Sequence, residues 1–400
     1  MSSRLLKRRA HSVNAMRELA RRRLPRLVFD FVDGGAEDER ALRRNEEAFG
    51  EARLLPRPLT GTAARDQSIE LFGQRLSMPV IIGPTGLAGM LWPRGEAHSA
   101  RAAAAADTVY VMSHASTVSI EQLAQEVAGH LWMQVFVYRD RGLTRAFAER
   151  AHAAGYKALV LTTDNQVPGW RERDLRNGFT VPLQLGGRNV LDVALHPGWV
   201  WRMSKTARFT MANYTELEGK HDVMSIAARI SQLLDPGLSW KDIEWLRGLW
   251  DRPLLIKGIL HPEEARRATA LGVDGLIVSN HGGRQLDSAP ASFEALPGIV
   301  DAAAGRVPVL IDGGVRRGAD VIKALAVGAR ACLIGRPQLW GLATAGEEGV
   351  SWVLTCLRTE IDRAMALCGC ERLSDVDSSV LFKASAFSRV AGDHALSEIV

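Results

Sequence analysis

Four hundred residues are too many for one small module and few for several enzymatic domains, but an α/β barrel commonly takes about 250 in one unit. Hydrophobic residues at 46% and charged residues at 24% are ordinary for a globular chain and exclude wholesale disorder, collagen and coiled coil. Lys and Arg number 50 against 45 Asp and Glu, a formal charge of +5, and part of the excess is local, in Arg4, Lys7, Arg8, Arg9, Arg17, Arg21, Arg22 and Arg23.

No basic face interleaved with exposed aromatics follows, so nucleic acid is not the expected partner; an anionic lipid surface suits the basicity better. Four cysteines do not make a disulfide scaffold. Cys368-Gly-Cys370 has no accompanying ligand cluster, so no metal is expected and the thiols read as those of a reducing compartment. The N-terminus lacks the apolar stretch of a signal peptide, and no run approaches 18 apolar residues. The expected location is cytoplasmic, with peripheral contact at the inner face of the cytoplasmic membrane as a finer expectation.

In chain order, residues 12–50 read as helical. Val13, Met16, Leu19 and Ala20 recur at helical spacing, Leu24-Pro25 breaks the run, and a second pattern from Leu27 to Val32 stops at Gly34-Gly35. Residues 51–78 read as irregular. From residue 79, short apolar runs alternate with helical stretches: 79–82, 109–112, 131–135, 158–161, 253–256, 275–278, 308–311 and 331–334. Runs without polar alternation are strands buried on both faces, as in a parallel sheet under helices. Eight such units predict a (β/α)₈ TIM barrel over 79–400, with 1–78 as a helical appendage at its mouth or base. A doubly wound sheet is the alternative, weakened by the lack of a GxGxxG loop. Residues 162–238, after the fourth strand, are far too long for an ordinary βα loop. There Leu191, Val193, Leu195, Trp199, Val200, Trp201, Met203, Phe209, Met211 and Tyr214 mix with Arg188, Arg202, Lys205 and Arg208. Segment 186–214 thus reads equally as a membrane-interfacial element or as a lid.

The chemistry of a barrel lies at the C-terminal strand ends. Those ends carry Gly83-Pro84-Thr85-Gly86, Ser113-His114-Ala115-Ser116, Gln134, Thr162-Thr163-Asp164 and Lys257-Gly258. The sixth carries Ser279 to Asp287, the seventh Asp312 to Gly318, and the eighth Gly335-Arg336-Pro337. Gly313, Gly314 and Gly335 with Arg316 and Arg336 suit a phosphate. Lys257 closes an apolar strand and needs an anionic or polar receiver. A Schiff base and a hold on cofactor charge both remain open for it. Asp164 can orient and stabilise a protonated His281, and Arg171 with Arg284 can clamp a carboxylate.

The segment Ser279-Asn280-His281-Gly282-Gly283-Arg284-Gln285-Leu286-Asp287 resembles the active-site signature of the FMN-dependent 2-hydroxy acid dehydrogenase and oxidase family. The likeness spans nearly the whole chain. Pro84-Thr85-Gly86-Leu87, Leu91-Trp92-Pro93, Arg171 to Leu175 and Leu195-His196-Pro197 are most similar to its (S)-mandelate dehydrogenase branch. The resemblance implies FMN as cofactor and oxidation of an L-2-hydroxy acid to the 2-keto acid. His281 would be the base, with Asp164 behind it. Arg171 and Arg284 would bind the substrate carboxylate, and Lys257 would stabilise charge on the flavin. Ser113, Gln134 and Thr162 would contact the cofactor's ring, and Pro84, Thr85, Gly86 and Ser279 would also bind the cofactor. Asp312, Gly314, Arg316, Gly335 and Arg336 would serve its ribityl chain and phosphate. It also implies membrane association of the long loop, a homotetramer, and quinone or oxygen as electron acceptor.

Phe31 and Phe136 depart from the pattern, since the family usually has tyrosines there that help hold the substrate. A missing hydrogen bond to a charged group costs about 1.5–3 kcal/mol. The expected substrate is therefore larger or more apolar than lactate, an aryl 2-hydroxy acid. The alternatives are oxidative decarboxylation, oxidation of a modified biosynthetic intermediate, or a flavin-binding scaffold without turnover.

Overall fold

The structure is a computed structural model that describes residues 6, 8–179, 187–205, 211–214 and 233–382. Eight parallel strands close a barrel: β1 (Val80–Ile82), β2 (Val109–Met112), β3 (His130–Val135), β4 (Ala158–Thr162), β5 (Leu254–Ile259), β6 (Gly275–Val278), β7 (Val309–Ile311) and β8 (Ala331–Ile334). Each pairs with its sequence neighbours, and β8 closes on β1 through Cys332 opposite Val80. All eight expected strands are present.

Their apolar runs divide by parity. Ile81, Val111, Trp132, Val160, Leu255, Ile277, Leu310 and Leu333 fill the barrel interior. Their neighbours Ile82, Met112, Met133, Leu161, Ile256, Leu276 and Ile334 pack outward under the helices. Side chains alternate between faces with period two, so the residue two beyond each interior position points to the axis again. Those next positions are Gly83, Ser113, Gln134, Thr162, Lys257, Ser279, Asp312 and Gly335. The barrel therefore carries a glycine and polar layer above an apolar plug.

The first residues supply parts to both ends of the barrel. Ser12 caps the helix Val13–Arg21, its Oγ accepting from Ala15 N at 3.1 Å, and Pro25 sets off the next helix, Arg26–Asp33. Arg17 ties the two helices through Asp33 at 2.6 Å. A third helix, Arg40–Glu51, leans on the loop after β6: Asn45 and Asn280 exchange amide hydrogen bonds of 2.8 and 2.9 Å, and Ala41 N donates to Asp287. The stretch expected to be irregular contains an antiparallel hairpin, Ile69–Leu71 paired with Gln74–Leu76. Its Ile69, Leu71 and Leu76 join the interior cluster, and Phe72 meets Trp132 edge-on at 5.6 Å. It is the floor of the barrel.

After β4 the chain makes short helices at Glu172–Arg176, Gly187–Ala194 and Pro197–Met203 before the helix Trp240–Leu249 returns to β5. Arg4, Lys7, Arg208, Phe209 and the side chain of Arg188 lie outside the described residues. The last long helical run, Arg336–Cys368, breaks at Ala345 and Gly346, where the backbone leaves helical angles.

Candidate active site

The polar layer opens into a cavity of about 1250 Å³, part of it open solvent, lined by the ends of β1 to β8 and by Phe31 and Val32 of the helix Arg26–Asp33. The structure brings nearly all the expected site residues to this wall: Phe31, Pro84, Thr85, Gly86, Ser113, Gln134, Phe136, Thr162, Arg171, Lys257, His281, Arg284, Asp312, Gly314, Arg316, Gly335 and Arg336. Asp164 and Ser279 stand one layer behind, each against a lining residue. Asp164 Oδ1 lies 2.8 Å from His281 Nδ1, and Ser279 Oγ accepts from Lys257 Nζ at 2.8 Å.

Local backbone explains how His281 reaches this place. His281, Gly282 and Gly283 are three consecutive left-handed residues, with φ of 58°, 66° and 71°. A Cβ on Gly283 would lie 2.4 Å from Leu42 N, so only glycine lets the loop close against the helix Arg40–Glu51. The strained histidine is held from both sides: its N–H donates to Ser279 Oγ at 3.0 Å, and its ring meets Asp164. Gly258, at φ 109°, plays the matching part below, since a Cβ there would come within 2.7 Å of Asp164 Cβ.

Buried charges are arranged in pairs. Lys257 is almost fully buried, 3.0 Å from Asp312 Oδ2. Burial alone would lower its pKa, but Asp312 and Asp164 outweigh burial and raise it, so the lysine stays charged. Burial would likewise raise Asp164, but His281 and Lys257 outweigh it and hold the carboxylate below its usual range. With Nδ1 committed to Asp164, His281 has Nε2 free to take a proton, and an ionised Asp164 stabilises the imidazolium that results.

Two groups of arginines lack full compensation. Arg284 is pushed well down by burial and by the like charges of Arg171 and Arg336. Its Nη1 is pinned to the carbonyls of Phe31 and Gly34 at 2.9 and 2.8 Å. Arg336 falls to about 10 through burial and the nearby Arg316. It is less free than the sequence suggests, because its guanidinium donates to the carbonyls of Val32, Asp33, Gly34 and Gly282. Arg316 is shared with Glu46 at 2.9 Å. An anion entering either group would offset the burial and the like-charge repulsion that push Arg284 and Arg336 down.

Several buried polar atoms on the same wall have no hydrogen-bond partner among the described residues: Gln134 Nε2, Thr162 Oγ1, Asp312 Oδ1 and Arg316 Nε. Unpaired buried polar atoms are costly and point to a ligand. Their sequence around the wall fits FMN. Gln134 and Thr162 offer a donor and a hydroxyl to a flat polar ring, Asp312 accepts from a polyol, and Arg316 with the Gly313-Gly314 turn meets a phosphate. Sequence reasoning assigned no role to His114, which also lines the cavity.

The long insertion divides its faces. Trp199 Nε1 donates to Met90 O at 2.8 Å and Arg202 lies over Trp92 at 4.8 Å, both turned to the barrel. Leu191, Leu195 and Trp201 are each more than 60% exposed, and Lys205 Nζ sits 3.4 Å above the Trp201 ring. One side of this segment packs on the barrel and the other is exposed. Among the described residues no helix is long and apolar enough to cross a membrane.

Comparison with known proteins follows the same lines. A family profile described as FMN-dependent dehydrogenase matches residues 20–383. (S)-Mandelate dehydrogenase from Pseudomonas putida is 43% identical over 385 residues, covering 96% of this chain and 97% of that protein. L-Lactate oxidase from a Nostoc species is 44% identical over 369 residues, covering 91% and 96%. The crystal structure of the monotopic membrane protein (S)-mandelate dehydrogenase superposes with a TM-score of 0.90 at 43% identity, covering 93% of this chain and 99% of that one.

Proposed function

Because the chain belongs to the FMN-dependent dehydrogenase family, we propose that it oxidises an L-2-hydroxy acid with an aryl or otherwise large apolar side chain to the 2-keto acid. The observation that carries the reading is the His281–Asp164 pair at 2.8 Å, set between the Arg171 and Arg284 cations and the Lys257 end of the barrel.

Bound FMN supplies a two-electron acceptor. Arg171 and Arg284 take the substrate carboxylate, which is the anion their mutual repulsion calls for. His281 Nε2 receives one substrate proton, and Asp164 neutralises the charge that the ring gains. Lys257 keeps a fixed positive charge at the ring end of the cofactor, ready for negative charge that develops there. That use supports the charge-holding role over a Schiff base, for which a neutral amine is needed. Gln134, Thr162 and Ser113 orient the ring; Asp312, Gly314, Arg316 and Gly335 hold the chain and phosphate. Phe31, stacked on Phe179 at 4.4 Å, and Phe136 give the substrate an apolar wall without hydroxyls. The wall supports an aryl side chain over a methyl group.

The same reading takes 1–78 as an appendage to the barrel and the outward face of 187–205 as a peripheral membrane contact, with quinone or oxygen as electron acceptor and a homotetramer as the assembly. Exposed Leu191, Leu195 and Trp201 beside Lys205 support the membrane contact. A panel of 2-hydroxy acids added anaerobically to the yellow holoprotein tests the reaction. (S)-Mandelate should bleach the flavin faster than (S)-lactate and yield the 2-keto acid by mass. Release of carbon dioxide would favour oxidative decarboxylation, and no bleaching by any 2-hydroxy acid would overturn the proposal.

A further inference from the structure

One polar side chain on the cavity wall takes no part in the chemistry above. His114 follows β2 between Ser113 and Ala115, is buried, and lines the cavity. Its Nδ1 lies 2.6 Å from Tyr214 Oη and 3.1 Å from Tyr138 Oη, and the two hydroxyls are 2.6 Å apart. Both tyrosines are fully buried. A phenol is a far stronger acid than a neutral imidazole N–H, so the phenol donates and Nδ1 accepts. The ring proton then resides on Nε2, on the side of the ring away from the tyrosines. Among the described residues, Nε2 has no hydrogen-bond partner.

The ring stands edge-on to Phe136, with centroids 4.6 Å apart. Burial and the neighbouring His281 push the His114 pKa down to about 3, so the imidazole is neutral at working pH and does not compete with His281 as a base. Of the oxygens on a 2-hydroxy acid, the carboxylate pair is served by Arg171 and Arg284. The 2-oxygen gives up its proton and becomes a carbonyl, and neither Phe31 nor Phe136 can donate to it. A donor aimed at that oxygen stabilises the charge that develops as the proton leaves.

We propose that His114 reads the substrate's 2-oxygen: its Nε2–H donates a hydrogen bond to that oxygen, while Tyr138 and Tyr214 hold the ring in the donating tautomer. The proposal rests on the 2-hydroxy acid reading of the site. It makes His114 a specificity determinant that admits ligands with an oxygen at C2 and stands in for a hydroxyl absent at position 136.

The test uses the FMN-loaded protein with (S)-mandelate, benzoylformate and phenylacetate, the last having no oxygen at C2. His114→Asn keeps an acceptor for the tyrosines but withdraws the donor from the cavity. It should retain flavin absorbance and lower kcat for (S)-mandelate at least 30-fold with a smaller change in KM. Wild type should bind benzoylformate at least tenfold more tightly than phenylacetate, read from the flavin spectrum, and His114→Asn should narrow that ratio to below threefold. Adding Phe136→Tyr should raise kcat at least tenfold in the His114→Asn background and by a clearly smaller factor with His114 present.

Equal gains from Phe136→Tyr in both backgrounds, or a loss under threefold in His114→Asn, would overturn the role of His114 while leaving the reaction intact. Failure of the wild type to bleach with any 2-hydroxy acid would remove both readings together. If His114→Asn does not fold, the wild-type binding ratio still decides: equal affinity for benzoylformate and phenylacetate means that no donor reads the 2-oxygen.

Discussion

The two sides of the cavity solve opposite problems. On one side, Lys257, Asp312, Asp164 and His281 are charged or become charged, and each buried charge has a partner within 3.0 Å. On the other, Phe136 and His114 face the cavity as neutral rings, and buried Tyr138 and Tyr214 stand behind them with their hydroxyls tied to His114 Nδ1 and to each other. Under the proposed function the first side exchanges protons and meets developing charge, and the second sets what shape and which oxygen can enter. Chemistry is concentrated where burial is compensated by opposite charge, and selectivity where burial leaves groups neutral.

The comparison breaks most visibly at Lys257. Lys257→Met leaves Asp312 and Asp164 without the cation that both face, and removing one partner of a buried pair costs about 3–5 kcal/mol. Thermal melting should fall strongly and FMN retention with it; a melting temperature within a few degrees of wild type would mean the carboxylates are solvated. Asp164→Asn comes next. It keeps the shape but removes the charge behind His281, so flavin reduction should slow roughly 10- to 150-fold, the kinetic equivalent of about 1.5–3 kcal/mol. Unchanged single-turnover rates would separate Asp164 from the proton step.

The smallest effect sharpens the neutral side. The pKa of folded His114 lies below that of the unfolded chain, so the stability it contributes is full above about pH 6.5 and is lost as pH falls from there toward 3. The groups facing it are His281, Tyr138 and Tyr214. Between pH 7 and 5 the wild type should therefore lose more melting temperature than His114→Asn; parallel losses would show that the imidazole titrates freely.

Much of the barrel was legible because its strands are unbroken apolar runs, and the charged side was legible because its residues close those runs. Parity adds to this, since stepping two residues past each interior position lands on Ser113, Gln134, Thr162, Lys257, Ser279 and Asp312. The hairpin floor was not legible: Ile-Glu-Leu and Gln-Arg-Leu are three-residue strands whose partner is the barrel's own interior. Nor was the tie of Arg336 to four carbonyls, because a sequence does not show where a backbone oxygen will point. The His114 cluster joins positions 24 and 100 residues apart, and no local pattern connects them.

The central claim is that His281 takes the proton as a 2-hydroxy acid is oxidised. Rapid mixing of FMN-loaded wild type and His281→Ala with (S)-mandelate without oxygen tests it most directly. Wild-type flavin should bleach in a single phase, while the variant stays yellow, slowed at least roughly 100-fold, the lower end of the effect expected from a general base. Bleaching of His281→Ala at the wild-type rate would contradict the account.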